Sequence, residues 1–142
     1  MQRILLVVAT LLLAFLLPGC ESTKSTTGST PDLTTLLTKQ LGVSESQANG
    51  GVGSMLQLAQ EKLTAGEFDS ITKVIPGSQK YLDSAKQLLG GGKVGNASGL
   101  QSAFSKLGMS PDMVSKFEPV VTDYVGTLAG PQAKSLLAGA LK

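Results

Sequence analysis

Beyond Thr30 the apolar side chains of this chain return at three- and four-residue steps, and glycine or proline interrupts the spacing between runs. That periodicity aligns apolar groups along one face of an α-helix, whereas a half-buried strand needs strict alternation. No window alternates over strand length with β-branched enrichment, so a Gly-rich antiparallel sheet is the poor alternative. The expected fold is therefore all-α, a compact bundle of six or seven short helices within one domain over residues 31–142. A body of this length buries about two thirds of its unfolded surface, enough for one core.

The punctuation marks out the elements. Pro31 suits a first helical position, and Leu33, Leu36, Leu37 and Leu41 follow until Gly42 stops the run. Ser44 and Gln47 have capping-box spacing, and Ala48, Val52, Met55, Leu56, Ala59 and Leu63 share one face up to Gly66. Phe68, Ile71, Val74 and Ile75 form a brief third face before the Pro76-Gly77 turn. Ser78 is the expected cap of the next helix, with Tyr81, Leu82, Ala85, Leu88 and Leu89 inward. Gly90 to Gly99 read as a Gly-rich loop and hinge between two helical halves. Leu100, Ala103, Phe104 and Leu107 follow, stopped by Gly108. Ser110-Pro111-Asp112 then order as N-cap, first-turn proline and first-turn acid ahead of Met113, Val114, Phe117, Val121, Tyr124, Val125 and Leu128. Pro119 is expected to kink that helix. Gly130-Pro131 precedes a last helix carrying Leu136, Leu137, Ala140 and Leu141.

Leu41-Gly42-Val43-Ser44 and Leu107-Gly108-Met109-Ser110 lie 66 residues apart, each between a short and a long helix. In that register Leu37 matches Ala103, Ala48 matches Val114 and Met55 matches Val121. Two related helical-hairpin halves would give this pattern. So would ordinary punctuation, because a glycine stop followed by a serine cap is how many helices join. The sequence leaves both readings open.

The N-terminus has another character. Arg3 precedes a 14-residue apolar stretch, Ile4 to Leu17, and then Pro18-Gly19-Cys20. As a helix the stretch reaches only about 21 Å, short of a hydrocarbon core of about 30 Å, so a cleaved secretory signal over residues 1–19 is the expectation. Leu17-Pro18-Gly19-Cys20 resembles the lipobox of bacterial lipoprotein signal peptides, which implies diacylglycerol on the Cys20 thiol and cleavage just before it. Two or three acyl chains hold a protein firmly at a bilayer, so no transmembrane helix is needed. Glu21 follows where the resemblance would put Asp for inner-membrane retention, and this implies the outer membrane, facing the periplasm. Residues 20–30 contain no apolar side chain after Cys20 and are expected to be a flexible Ser/Thr-rich tether, with a typical span of about 17 Å.

With no His, no Trp and one Cys, histidine base chemistry, Cys/His zinc sites, Ser-His-Asp and Cys-His systems and an internal disulfide are excluded. The body carries 11 Lys against 10 Asp and Glu, without runs, so no nucleic-acid stripe is visible. Gly51-Val52-Gly53 lacks the preceding strand, the third glycine and the Lys-Ser/Thr of phosphate loops. Its expected role, with Gly50 and Ser54, is close approach of a second helix. Glu67 and Asp69 sit on different sides of a helix and read as first-turn acids, as does Asp112. Glu118 and Asp123 have no clustered acidic partners for a metal loop. Phe68, Tyr81, Phe104, Phe117 and Tyr124 lie on apolar faces and are expected in the core. Lys106 and Lys116 read as solvated. No catalytic residue, cofactor or metal ligand is expected.

Leu41 to Ser44 with Gln47 to Leu63, and Phe104 to Val114 with Lys116-Phe117 and Pro119-Val120-Val121, resemble the two halves of the bacterial VcgC/VcgE family. The likeness covers about residues 33–142. It implies a helical domain, often behind a secretion signal, of unknown function and with no active site to transfer. The expected function is a non-catalytic structural or protein-interaction module on an envelope lipoprotein, self-associating or docking an envelope protein. The alternative is a periplasm-facing module that binds an apolar or lipid-like ligand.

Overall fold

A computed structural model of the chain describes residues 31–142. Seven helices make up these residues: α1 (Leu33–Leu41), α2 (Glu45–Lys62), α3 (Ala65–Val74), α4 (Ser78–Leu89), α5 (Ala97–Lys106), α6 (Asp112–Ala129) and α7 (Pro131–Ala140). The described part is all-α, as the periodicity requires, and no strand occurs among the described residues.

The axis of the bundle is α2, in which every residue from Ala48 to Ala59 is buried. Glycines make this crowding feasible. A Cβ at Gly53 would overlap the Tyr81 carbonyl and lie 2.9 Å from Ala85 Cβ, so α4 crosses α2 at backbone contact. A Cβ at Gly51 would lie 2.6 Å from the Phe117 ring, and one at Gly50 would lie 2.7 Å from Leu107 Cδ2. Each glycine costs roughly 1 kcal/mol of helix propensity relative to Ala, which the burial around α2 must offset. The Phe117 ring meets Phe104 edge-on, with centroids 5.0 Å apart, beside Gly51.

The helices also answer the question of the two halves. Moved along the sequence by 66 residues, α3 lands on α7 end to end, α2 falls within one residue of α6, and α1 within two of α5. Gly42 and Gly108 stop α1 and α5 in the same left-handed conformation, φ 66° and 72°, where glycine has no Cβ to clash. Met55 and Val121, Ala59 and Val125, and Ile71 and Leu137 are buried pairs in this register. Packing between the units is reciprocal, with α1 on α6 as α5 is on α2 and α3 on α6 as α7 is on α2, while within them α7 lies against α6 far more closely than α3 does against α2. The equivalent positions Gly51 and Phe117 touch each other, as residues near a pseudo-two-fold axis must. The units are thus three helices each and not hairpins, and α4 belongs to neither.

Several boundaries differ from the sequence reading. Helix α2 ends at Lys62, and Gly66 lies inside α3, because Thr64 and Glu67 form a capping box that restarts the chain. Ser78 is already helical and makes no side-chain cap; Gly77, at φ 72°, occupies the N-cap position. The Gly-rich loop closes sooner than Gly99: Asn96 Oδ1 accepts from the Gly99 backbone at 2.8 Å, so Gly99 is in the first turn of α5. Val94, 1% exposed, pins the loop to the core. Helix α6 starts at Asp112 with Pro111 in the N-cap position, not Ser110, and it runs unbroken through Pro119, whose ring faces solvent.

Candidate functional site

Two polar arrangements stand out against the apolar core. The first joins α1, α2 and α4: Thr34 Oγ1 lies 2.9 Å from Asn49 Oδ1 and 3.0 Å from the Tyr81 hydroxyl, which donates to Asp32 Oδ1 at 3.2 Å. Three contacts share two hydroxyl protons. A carboxylate and an amide oxygen only accept, so with Thr34 donating to Asn49 Oδ1 and Tyr81 to Asp32 Oδ1 the Thr34–Tyr81 contact becomes a hydrogen bond when one of the two hydroxyls turns its proton to the other. Burial, above all, pushes the Tyr81 phenol up to about 12, against the pull of the Thr34 hydrogen bond. Burial also raises Tyr124, with the nearby Asp32 charge adding to it. A phenol held neutral and saturated with hydrogen bonds orders the α1–α4 seam; it is not poised to exchange protons near neutral pH.

The second arrangement is a surface groove of about 670 Å³ where the last turns of α2 and α4 meet the Gly-rich loop. Gln57, Gln60 and Glu61 come from α2, Lys86 and Gln87 from α4, and Gly91 to Lys93 from the loop. Lys93 reaches across to Glu61, Nζ to Oε1 3.1 Å. Lys86 turns to Asp83 at 3.6 Å. Gln57 is 9% exposed, and its Oε1 has no hydrogen-bond partner. An unpaired buried acceptor costs about 1–3 kcal/mol, so this atom marks either strain or a place for a donor.

The loop amides determine what the groove does not do. Gly90 N–H donates to Gln87 O at 3.4 Å, Gly91 N–H to Lys86 O at 3.2 Å and Gly92 N–H to Leu89 O at 3.0 Å. All three donors close the C-terminus of α4, whose partial charge is negative. A phosphate cradle needs free N–H groups and a helix N-terminus; neither is offered.

Cys20, the one residue singled out for modification, lies outside the described residues. The carboxylates considered as pairs are apart in role. Glu67 caps α3 through Thr64, whose hydroxyl and then backbone N–H hold its carboxyl below the ordinary range. Asp69 pairs with Lys73 at 2.6 Å. Asp123 pairs with Lys134, while Asp112 stands in the first turn of α6. Among the described residues no group of three or more His, Cys, Asp or Glu side chains is placed to hold a metal ion. Phe104, Phe117, Tyr81 and Tyr124 are buried, and Phe68 is half-buried against the same core. Gly50, Gly51 and Gly53 do admit close neighbours, as their spacing suggested. Sequence reasoning missed the Tyr81 relay, the Thr64 cap and the groove. A buried-face register would have flagged Gln57, which stands one residue after Leu56 and two before Ala59 on an all-buried helix; nothing local connects it to Lys93.

The molecule is thus a small helical domain with a filled center and its polar chemistry at the seams and surface. A family model described as protein of unknown function VcgC/VcgE (DUF2780) matches residues 19–142, and the chain belongs to that family. No curated protein and no solved structure is significantly similar to it.

Proposed function

We propose that this protein is a lipid-anchored module of the bacterial envelope that acts without catalysis, by presenting its helical surface to an envelope protein. Acylated Cys20 would hold it at the outer membrane, and residues 21–30 would let the domain stand off the bilayer. The observation that carries this reading is the consumption of the interior by packing: α2 is buried over Ala48 to Ala59 with glycines where neighbours touch it. An apolar or lipid-like ligand needs an enclosed apolar cavity, while the groove of about 670 Å³ is open at the surface between two helix ends and a loop. That favours surface contact over lipid carriage.

Cross-linking in intact cells, read by mass spectrometry, tests the proposal together with Cys20→Ala. The expected result is a defined protein cross-linked to the domain, acyl labelling that disappears in Cys20→Ala, and a cross-link yield that falls with it. Unchanged labelling in the variant overturns the anchor, and release of a stoichiometric lipid from the denatured protein overturns the surface reading.

A further inference from the structure

We propose that the groove between the last turns of α2 and α4 binds a primary ammonium on an aliphatic stem, as a lysine-like side chain of a peptide presents, and that Lys93 is its built-in competitor. The inference rests on the reading that the protein acts through its surface, and it names the chemistry recognised there.

Four observations converge. Gln57, nine-tenths buried on the groove wall, leaves Oε1 without a donor. Two helices end at the groove, and the negative ends of their dipoles favour cations. The glycine N–H groups that could attract an anion are spent on α4 carbonyls. The chain itself already places an ammonium on a four-carbon stem there, Lys93 on the Glu61 carboxylate at 3.1 Å.

That internal pair is easily displaced, because the Lys93 side chain is 79% exposed and that of Glu61 37%. Exposed pairs of this kind contribute little. The groove, at about 670 Å³, lies within the range of sites that take small ligands and exceeds what one lysine side chain fills. Glu61 is the one carboxylate among the lining residues, and it loses its partner once Lys93 swings out, while Lys86 faces Asp83 at 3.6 Å. The carboxamides of Gln60 and Gln87 offer both donors and acceptors to the peptide groups flanking the incoming side chain. The backbone of the loop is held at Gly90–Gly92 by α4 carbonyls and at Val94 by the core, so opening the groove needs only the exposed Lys93 side chain to swing out.

The test titrates the full-length, isotope-labelled chain in neutral detergent micelles with acetyl-lysine methylamide, and separately with the norleucine compound that lacks only the amine. The lysine probe is expected to shift the side-chain NH2 signals of Gln57, Gln60 and Gln87 and the amides of Gly91 to Lys93; the norleucine probe leaves them in place. Lys93→Ala is expected to tighten binding by about two- to five-fold, the range that loss of a weak competing ion pair supplies. Glu61→Gln should weaken it by about five-fold or more, with Lys93→Gln as the second competitor-free variant should Lys93→Ala melt early. Equal shifts from the two probes, no shift at the groove, or affinity unchanged in a folded Lys93 variant each overturn the proposal. Such a failure leaves the cellular cross-link untouched, so the two readings fail separately.

Discussion

Helices α2 and α6 have the same length, 18 residues, and equivalent places in their three-helix units, yet they live in different surroundings. In α2 twelve consecutive residues, Ala48 to Ala59, are buried; in α6 burial is confined to one stripe, Phe117, Val121, Thr122, Tyr124 and Val125. The difference is α4, which covers the outer side of α2, whereas α6 is covered among the described residues chiefly by its own last helix, α7. Gly50, Gly51 and Gly53 of α2 correspond to Lys116, Phe117 and Pro119 of α6. Equal positions in a repeated frame thus carry opposite demands. Where α4 crosses, at Gly53, the position must have no side chain; at its equivalent, Pro119, the ring stands on the solvent side.

The sharpest break of this comparison is to exchange those demands. Gly53→Val pushes side-chain atoms into the Tyr81 carbonyl and is expected to destabilise by about 3 kcal/mol or more, because a backbone cannot yield as a side-chain tip does. Pro119→Ala, at the equivalent position, is expected to stabilise by about 1–3 kcal/mol through restored helix propensity. Urea midpoints of both variants decide the point, and shifts of the same sign would dissolve the contrast between the units.

A second difference lies in the seams. The first unit joins α1 to α2 and α4 through Asp32, Thr34, Asn49 and Tyr81, whereas the position equivalent to Thr34 is Leu100, fully buried and apolar. Tyr81→Phe removes the central hydroxyl and is expected to cost about 1 kcal/mol near neutral pH. The pH profile supplies a finer readout. Because the folded phenol is raised to about 12, both states keep the proton below the ordinary tyrosine value of about 10. Between those values only the unfolded chain ionises, so stability is full below about pH 10 and is lost as pH rises through the window. Tyr124 is raised in the same direction, so Tyr81→Phe should flatten this alkaline decline and a double Phe variant should flatten it further. An unchanged decline would mean that the seam does not hold the phenol neutral.

The smallest effect is expected where the units begin their last helices. Thr64 caps α3 in a box with Glu67, while its equivalent, Gly130, precedes Pro131 at the start of α7 and makes no side-chain cap. Thr64→Ala, at an exposed cap, should cost about 0.5 kcal/mol at neutral pH, the low end for such caps. Glu67, whose pKa is lowered by the Thr64 hydroxyl and backbone, stabilises the fold above the usual carboxylate range and loses that role as pH falls. The deficit of Thr64→Ala should therefore shrink in acid, and thermal melts at successive pH values would show it; a pH-independent deficit would separate the hydroxyl from the carboxylate.

Much of the bundle was legible because each helix buries a stripe at helical spacing and glycine or proline stands at most of the joins. Boundaries differ where a neighbouring residue serves the orphan N–H groups: Thr64 caps α3 and leaves Gly66 inside it, Gly77 stands where Ser78 was expected, and Asn96 shortens the loop. The 66-residue register was visible only as two matching joins, and it became a three-helix repeat once α3 and α7 coincided. The groove was not legible, since Gln57, Glu61 and Lys93 are ordinary polar residues one by one.

By itself the sequence determined the helical class, the order of the elements, the lack of histidine, and the apolar stretch from Ile4 to Leu17 ahead of the one cysteine. These follow from local rules, spacing, propensity and composition, which act within a few residues. Only the tertiary structure decided that α4 covers α2, that Gly53 admits the Tyr81 carbonyl, that Tyr81 closes a polar seam, and that Lys93 sits on Glu61 beside an unpaired Gln57 oxygen. Those contacts join residues as much as 49 positions apart, as Asp32 and Tyr81 are, and a contact of that reach depends on how whole helices pack, which no local pattern encodes.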